Sequence, residues 1–428
     1  MRAQVVSAIA PVDRERPRSV SFLAAAEILT APREGLEHLR GDDANAQQLR
    51  AGDLLVRDGR ITGTQADPDA ELVVDASGMT ILPGLVDCHT HLPFAGWRAS
   101  EYERKLRGVP YEEISRGGGG IASSARALRE SPDEAVLTQS RTLAHEMLEH
   151  GTTAFECKSG YGLSREGELR ALELAAELGV PQTTTSTALL AHAVPPGHTA
   201  DTWMEEVHAM LPAVKALPRV TALDIFVESI AFGNDHLQRM GELARSAGLD
   251  LRCHAEQLST MRSIPVAIAA GARSVDHLSR IHPDDIGALG TATCAAVLLP
   301  GAEFLGAEGR APARALLDAG AILALATDLN PGTSPVVSLP LVIGLAVRLY
   351  GLSTQEALAA TTLNAAWVLG LHRELGSIEP GKRADLVLLD GPAEQIAYRF
   401  GRNPVAAVFI DGRPVHVRPD AQWRLRHR

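Results

Sequence analysis

Val86-Asp87-Cys88-His89-Thr90-His91 ends the first of eight short apolar runs that alternate with helical patterns through the middle of the chain. These strand candidates span residues 81–87, 152–157, 182–189, 220–227, 249–253, 273–276, 294–299 and 321–327. Alternation of strands and helices is typical of parallel βα units. Eight such units predict an α/β fold, a (β/α)8 TIM-like barrel, and barrels of this kind carry their chemistry at the C-terminal ends of the strands.

The two ends of the 428-residue chain are rich in strand signals instead. Asp58-Gly59 lies between two apolar runs near the N-terminus, and Asp411-Gly412 does the same near the C-terminus. This dipeptide favours a tight β-hairpin, because both residues tolerate a positive φ. We therefore predict that residues 1–80 and 373–428 pair into a small β-sandwich domain and that residues 81–372 form the barrel.

Imidazole and carboxylate side chains stand at four of the predicted strand ends. Side chains alternate along an extended strand, so His89 and His91 point to the same side. The fifth, sixth and eighth strands end at His254, His277 and Asp328. Because the ends of parallel strands meet at one rim, these groups predict a site for a divalent metal ion such as Zn²⁺, with an open position for water.

Several of these residues also have a simpler structural interpretation. His277 could hydrogen-bond to backbone at the rim, and Asp328 could only begin the turn that follows it. Cys88 and Cys253 each precede a ligand candidate and face the opposite side, so we expect them to pack against helices. Lys158 could bridge two metal ions, but we favour an ordinary loop lysine.

Composition excludes several classes of function. The formal net charge is −11, which argues against nucleic acid or an anionic membrane surface as the main partner. The longest apolar stretch, about residues 338–347, is too short to span a membrane. Four cysteines do not make a disulfide framework, and the N-terminus lacks the pattern of a signal peptide. We predict a cytoplasmic enzyme with a small-molecule substrate, and leave open whether it forms a homodimer.

Longer motifs carry a family resemblance, and they run through most of the chain: Leu82-Pro83-Gly84-Leu85-Val86-Asp87-Cys88-His89-Thr90-His91, Phe94-Ala95-Gly96-Trp97-Arg98, Lys158-Ser159-Gly160-Tyr161-Gly162-Leu163, Ala191-His192-Ala193-Val194-Pro195-Pro196 and Thr327-Asp328-Leu329-Asn330-Pro331-Gly332-Thr333-Ser334. With them the chain resembles the amidohydrolase superfamily and, within it, the imidazolonepropionases. The resemblance implies a metal-bearing barrel with a β-sandwich built from both termini. It also implies hydrolysis of 4-imidazolone-5-propanoate to N-formimidoyl-L-glutamate, the third step of histidine degradation.

The resemblance assigns roles residue by residue. It places one divalent ion, Zn²⁺ or iron with Mn²⁺ as a further fit, on His89, His91, His254 and Asp328. It places substrate contacts on Arg98, Tyr161, His192, Gln257, Asn330, Gly332 and Thr333, and it places Tyr111 in the pocket lining.

The chemistry of these side chains agrees with opening of a cyclic amide. Asp328 can take the proton of the attacking water, and His277 can orient the nucleophile or stabilise the oxyanion. Arg98 offers a bidentate fork for a propanoate tail, unless it only pairs with Glu101 or Glu103. Tyr161 and His192 add donors for the carboxylate or the ring, although Tyr161 could simply cap a turn.

Two positions depart from the relatives. Gln257 stands where deaminating relatives use a carboxylic acid, and an amide cannot titrate, so proton delivery to the leaving nitrogen falls to Asp328 or His277. Residues 260–263 replace the glycine pair that imidazolonepropionases usually show, which leaves the shape of this loop open. Two alternatives to the main hypothesis are another amidohydrolase, such as a heterocyclic-base deaminase, and a non-catalytic protein on the same fold.

Overall fold

The computed structural model describes residues 16–109, 113–114, 117–306 and 309–428. Its strands, numbered along the chain, fall into two sheets. The first segment contributes β1 (Ser19–Thr30), β2 (Gln48–Arg57), β3 (Arg60–Gly63), β4 (Leu72–Asp75) and β5 (Thr80–Pro83). The middle contributes β6 (Leu85–Asp87), β7 (Thr152–Lys158), β8 (Thr183–Ala191), β9 (Val220–Val227), β10 (Asp250–Ala255), β11 (Ala272–His277), β12 (Ala295–Leu298) and β13 (Ile322–Leu325). The last segment contributes β14 (Leu386–Leu389), β15 (Val405–Ile410), β16 (Arg413–Val417) and β17 (Leu425–His427).

Strands β6 to β13 form a parallel sheet in sequence order, as the alternating pattern predicts. The first and last strands meet at the C-terminal rim, where the Asp328 N–H donates to the His89 carbonyl at 3.0 Å and the His91 N–H donates to the Leu329 carbonyl at 2.9 Å. The sheet therefore curls into a nearly closed barrel. Its closing hydrogen bonds join the segments that carry three of the four proposed metal ligands, His89, His91 and Asp328.

The first predicted strand, residues 81–87, is in fact two strands. Thr80–Pro83 belongs to the other sheet, and only Leu85–Asp87 enters the barrel. Gly84 separates them at a close approach, because a Cβ there would lie 2.1 Å from Thr153 Oγ1. A continuous apolar run does not show that its two halves join different sheets, so the sequence pattern predicted a single strand.

The second sheet is mixed and joins both ends of the chain. β5 pairs with β1 from the N-terminal segment and antiparallel with β14 from the C-terminal segment. Both predicted hairpins form, with positive φ at Asp58, Gly59, Asp411 and Gly412. These observations confirm the predicted fold class, whereas the division at residues 80 and 372 stays a prediction.

Helices surround the barrel and fill the connections. They span Asp42–Asn45, Ala99–Leu106, Ile121–Glu130, Asp133–Glu149, Arg165–Ala176, Ala200–Ala216, Asn234–Ala247, Ile264–Ala270, Pro283–Thr291, Pro300–Gly306, Ala313–Asp318, Leu339–Tyr350, Thr354–Ala360, Leu363–Val368 and Gln395–Tyr398, with a 3₁₀ turn at Pro419–Arg424. Among the described residues, no helix has both the length and the apolar character that crossing a bilayer requires.

Candidate metal centre and active site

Three buried imidazoles converge at the C-terminal rim of the barrel. His91 Nε2 lies 3.3 Å from His89 Nε2 and 3.5 Å from His254 Nε2. Asp328 Oδ1 completes the group, 3.2 Å from His91 Nε2 and 3.5 Å from His89 Nε2. Ligand atoms about 2.0–2.1 Å from a tetrahedral ion are separated from one another by about 3.4 Å. These four separations match the spacing of tetrahedral ligands, and the ligand atoms of His89, His91 and His254 all lie within 4.8 Å of one another.

Hydrogen bonds at Nδ1 orient the rings of His89 and His254, so that the Nε2 lone pairs point toward the centre of the cluster. His89 Nδ1 donates to Asp276 Oδ2 at 2.6 Å, and His254 Nδ1 donates to Asp224 Oδ1 at 3.2 Å. A histidine that donates through Nδ1 keeps an Nε2 lone pair, and this arrangement is typical of metal-ligating histidines. Asp328 Oδ1 is buried without a hydrogen-bond donor among the described residues. The donor set therefore fits a divalent cation.

Lys158 is not a loop lysine, and that prediction was wrong. It is the last residue of β7 and is fully buried. Its Nζ lies 2.7 Å from Asp224 Oδ2 and 3.0 Å from Glu156 Oε2. Burial lowers the pKa of Lys158, but these carboxylates outweigh burial and hold the pKa above its ordinary value. The charged lysine fixes the carboxylate that orients His254.

Lys158 belongs to a larger buried charge cluster beneath the converging imidazoles. Arg252 contacts Glu156, and Asp276 Oδ2 lies 4.0 Å from Lys158 Nζ. Burial raises the pKa of Asp276 to about 6, against the pull of Lys158. Three carboxylates therefore face two cations, so the cluster carries an excess of negative charge that a cation at the imidazoles would balance.

A cavity opens above the imidazoles, with about 530 Å³ of atom-free space when the adjoining open solvent is included. Its lining comprises His91, Arg98, Lys105, Ile121, Tyr161, His192, Phe226, His254, Gln257, Leu258, His277, Asp328, Asn330 and Thr333. The structure thus brings most of the sequence-predicted site residues to one place. His89 lies outside this lining, Gly332 lies behind Arg98, and Tyr111 falls outside the described residues.

Arg98 forms a cationic wall of the cavity. Its side chain is 7% exposed, and its Nη1 lies 3.8 Å from Glu101 Oε2, too far for a hydrogen bond. Nε and Nη1 are buried without hydrogen-bond partners in the described part of the chain. The guanidinium packs on Gly332, where a Cβ would lie 1.7 Å from Nη2. Glycine is therefore the residue that lets Arg98 lie in this position.

His192 has a different hydrogen-bonding role from the predicted one. Its Nδ1 donates to the Gly160 carbonyl at 3.0 Å, and its ring stacks on His91 with centroids 5.3 Å apart. Burial holds the pKa of His192 well below its ordinary value, so the ring is neutral and Nε2 is an acceptor. His192 therefore suits an N–H of a ligand rather than a carboxylate.

His277 is the last residue of β11 and has a φ of +82°, a backbone conformation that is unusual for a residue other than glycine. Its ring centroid lies 5.4 Å from that of His254 and 5.7 Å from that of His89. Burial lowers the pKa of His277 to about 3. A neutral imidazole therefore faces His89 and His254.

Asn330 uses its side chain within its own loop. Oδ1 accepts from the N–H groups of Gly332 and Thr333 at 2.8 and 2.7 Å, and Nδ2 donates to the Asp328 carbonyl and Thr333 Oγ1 at 2.7 and 2.8 Å. Both lone pairs and both N–H groups are then occupied. The side chain thus shapes the loop that follows Asp328, and its contact with substrate stays a prediction.

Sequence reasoning missed several residues of this region. Phe226, Leu258 and Lys105 line the cavity. Phe226 stands near the end of β9, so the strand-end rule that found His254 would also have found it. Glu168 is buried in the helix Arg165–Ala176 and accepts the N–H groups of Gly160 and Gly162 at 2.7 and 2.8 Å. No local pattern marks such a glutamate, because its partners depend on how the loop before the helix folds.

Comparison with known proteins agrees with the geometry. The amidohydrolase family description matches residues 80–415. A protein named imidazolonepropionase from Rubrobacter xylanophilus is 48% identical over 345 residues, which cover 79% of this chain and 82% of that protein. One of the same name from Cupriavidus necator is 43% identical over 398 residues, which cover 90% of this chain and 95% of that protein.

Solved structures share the fold at low sequence identity. An adenosine deaminase from Xanthomonas campestris with bound zinc superposes with a TM-score of 0.68 at 20% identity, covering 94% of each chain. The guanine deaminase of E. coli superposes with a TM-score of 0.67 at 16% identity, covering 94% of this chain and 99% of that one. At these identities the likeness concerns the barrel and its accompanying sheet alone.

Proposed function

We propose, since the chain belongs to the amidohydrolase family and to its imidazolonepropionase branch, that it hydrolyses the cyclic amide of 4-imidazolone-5-propanoate to N-formimidoyl-L-glutamate. In this reaction, water adds to the amide carbonyl carbon, and the bond from that carbon to the ring nitrogen breaks. The carbon becomes a carboxylate, and the departing nitrogen takes a proton. The observation that carries the proposal is the Arg98 guanidinium in the wall of a cavity that is also lined by His91 and His254, two of the three imidazoles of the cluster His89, His91 and His254.

The family is metal-dependent, and we assign one divalent ion per chain to His89, His91, His254 and Asp328. Zn²⁺, iron and Mn²⁺ all accept such nitrogen and oxygen ligands. When bound, the ion supplies a charge that polarises the amide carbonyl and makes a water molecule acidic enough to attack near neutral pH. Asp276 and Asp224 keep two of the imidazoles in the tautomer that such an ion needs.

Residues of the chain supply the proton transfers and the orientation. Asp328 lines the cavity, so its carboxylate can take the proton of the attacking water through the oxygen that is not among the proposed metal ligands. His277 is neutral, so it can donate one hydrogen bond to the oxygen that gains charge. The leaving nitrogen then receives its proton from Asp328 or through His277, because Gln257 cannot titrate.

Arg98 and Lys105 make one side of the cavity cationic, which suits the propanoate tail of this substrate. The neutral His192, with Nε2 as an acceptor, suits a ring N–H. Tyr161 lies beside His192, with its ring centroid 5.4 Å from that of His192. Together these side chains would bind the tail through the cations and the ring through His192. A cytoplasmic location and a homodimer stay predictions.

Gln257 distinguishes this proposal from a heterocyclic-base deaminase. A deaminase requires a titratable acid to protonate the ring nitrogen, and an amide at this position provides only hydrogen bonds. Arg98 has no evident use for a neutral base, whereas a carboxylate tail needs a cation of this kind.

The test is a substrate comparison with the metal-loaded protein. Imidazolone propanoate is offered in one assay, and guanine, cytosine and adenosine in separate assays, with product mass and ammonia release as readouts. The proposal predicts ring opening with a mass gain of one water and no ammonia from the bases. Ammonia release from a base without opening of the imidazolone would replace the proposal with deamination. Silence toward every substrate after loading with Zn²⁺, Fe²⁺ or Mn²⁺ would favour a non-catalytic protein.

A further inference from the structure

Gln257 reaches the cavity from a loop whose far half is fixed by a buried carboxylate. Glu256 Oε1 accepts from the Ser263 N–H at 2.8 Å and from the Ser263 hydroxyl at 2.6 Å, and Oε2 accepts from the Met261 N–H at 3.1 Å. Arg262 between them has a φ of +56°. The shape of residues 260–263, which the sequence left open, is therefore set by Glu256 rather than by glycine.

The near half of the same loop is held from the neighbouring strand. Glu228 directly follows β9 and is 1% exposed. Its Oε1 accepts from the N–H groups of Gln257 and Leu258, both at 2.8 Å. Its Oε2 accepts from the Ser259 hydroxyl at 2.5 Å. One carboxylate thus accepts hydrogen bonds from three consecutive residues, of which Gln257 and Leu258 line the cavity.

The carboxylate of Glu228 stands on a rigid support. The Glu228 N–H donates to the Phe232 carbonyl at 3.0 Å, and the Ala231 N–H donates to the Glu228 carbonyl at 2.9 Å. This tight turn pairs Val227 with Phe232 in a short bridge at the end of the strand. The Gln257 peptide is therefore anchored to the end of a barrel strand and is not held by its own loop alone.

We propose that Glu228 is a positioning residue for Gln257, and that it sets the direction in which the Gln257 carboxamide meets the reacting ring. This inference rests on the proposed function and goes beyond the residues assigned to it above. Catalytic groups must be held to within about half an ångström of their productive position. A misplacement of about 1 Å costs about 100-fold in rate. A charged acceptor for two adjacent N–H groups provides this kind of restraint, because such bonds are stronger than neutral ones.

The test combines single and double variants of the metal-loaded protein. Glu228→Gln keeps the size of the side chain but removes its charge, and we expect kcat to fall about tenfold with KM within about twofold. Glu228→Ala removes all three acceptor contacts, and we expect a fall of about 100-fold in kcat. Ser259→Ala is the matched control, because it removes only the hydroxyl bond to Glu228, and we expect near-normal kcat.

A double variant separates positioning from a general structural effect. If Glu228 acts through Gln257, then Glu228→Gln adds nothing in a Gln257→Ala background, and the double variant matches Gln257→Ala within about twofold. Multiplying effects of the two substitutions would overturn the inference. Normal kcat in both Glu228 variants would overturn it as well.

Hydrogen exchange tests the anchor without any substrate. We expect the amides of Gln257 and Leu258 to exchange faster in Glu228→Gln than in the wild type, while metal content is unchanged. Unchanged exchange at these two amides would overturn the inference whatever the substrate is. Absence of imidazolone hydrolysis by the wild-type protein would instead overturn the proposed function. The exchange result would still test whether Glu228 holds the Gln257 and Leu258 amides.

Discussion

Replacing Lys158 with methionine probes the buried charge cluster beneath the proposed metal ligands. The lysine ammonium is fully buried and lies 2.7 Å from Asp224 and 3.0 Å from Glu156. Breaking a buried ion pair by removing one partner costs about 3–5 kcal/mol, because the remaining charge stays desolvated. Three carboxylates would then face Arg252 alone, so we expect a loss of this size in the metal-free protein.

Scanning calorimetry in the presence of a chelator measures this effect. Unfolding entropy of roughly 2.1 cal/mol/K per residue over 428 residues corresponds to about 0.9 kcal/mol/K, so the expected fall in Tm is about 3–6 °C. Lys215→Met is the matched control, since Lys215 is exposed near the end of the helix Ala200–Ala216. We expect that control to stay within about 0.5 kcal/mol of the wild type. An equal Tm for the two variants would refute the assignment of Lys158 as a paired buried cation.

Two further substitutions test other parts of the structure. Gly332→Ala places a Cβ where the Arg98 guanidinium lies, so steady-state kinetics should show KM for imidazolone propanoate raised about tenfold or more with kcat nearly retained; an unchanged KM would remove Arg98 from the tail site. Just after β14 of the mixed sheet, burial raises the pKa of Asp390, but hydrogen bonds from Arg402 and Arg418 outweigh it and lower the pKa overall. The charged carboxylate therefore adds stability above its unfolded pKa and loses that contribution as the pH falls through its folded pKa. In urea denaturation, Asp390→Asn should be less stable than the wild type at pH 7, with a deficit that shrinks toward pH 3; a deficit independent of pH would contradict this origin.

The sequence predicted the barrel and its rim residues because both follow from local periodicity. Apolar runs mark the strands, and parallel strands place their C-terminal ends together, so His89, His254 and Asp328 were expected to meet. The pairing of the strands alone is enough to bring these three side chains together.

The residues that sequence reasoning missed depend on partners far along the chain. Lys158 looked like a loop residue because a charge at the end of an apolar run usually marks its exit to solvent. Its burial depends on Asp224, 66 residues further on. Glu228 meets the Gln257 peptide 29 residues further on, and only the folded turn at the end of β9 aims it there. Such polar groups can be buried because the fold brings hydrogen-bond or ion-pair partners to them. Composition and periodicity do not show which distant residues these partners will be.

We propose that His89, His91, His254 and Asp328 hold one divalent ion that the hydrolysis requires. Elemental analysis of the purified wild type, His91→Ala and Cys88→Ala, paired with the imidazolone assay on the same samples, tests it most directly. Cys88 is the control, because it adjoins His89 but lies in the apolar packing outside the cluster. We predict about one divalent ion per chain and normal turnover for the wild type and Cys88→Ala, with loss of both ion and turnover for His91→Ala. A His91→Ala protein that keeps its ion and its rate would contradict the claim.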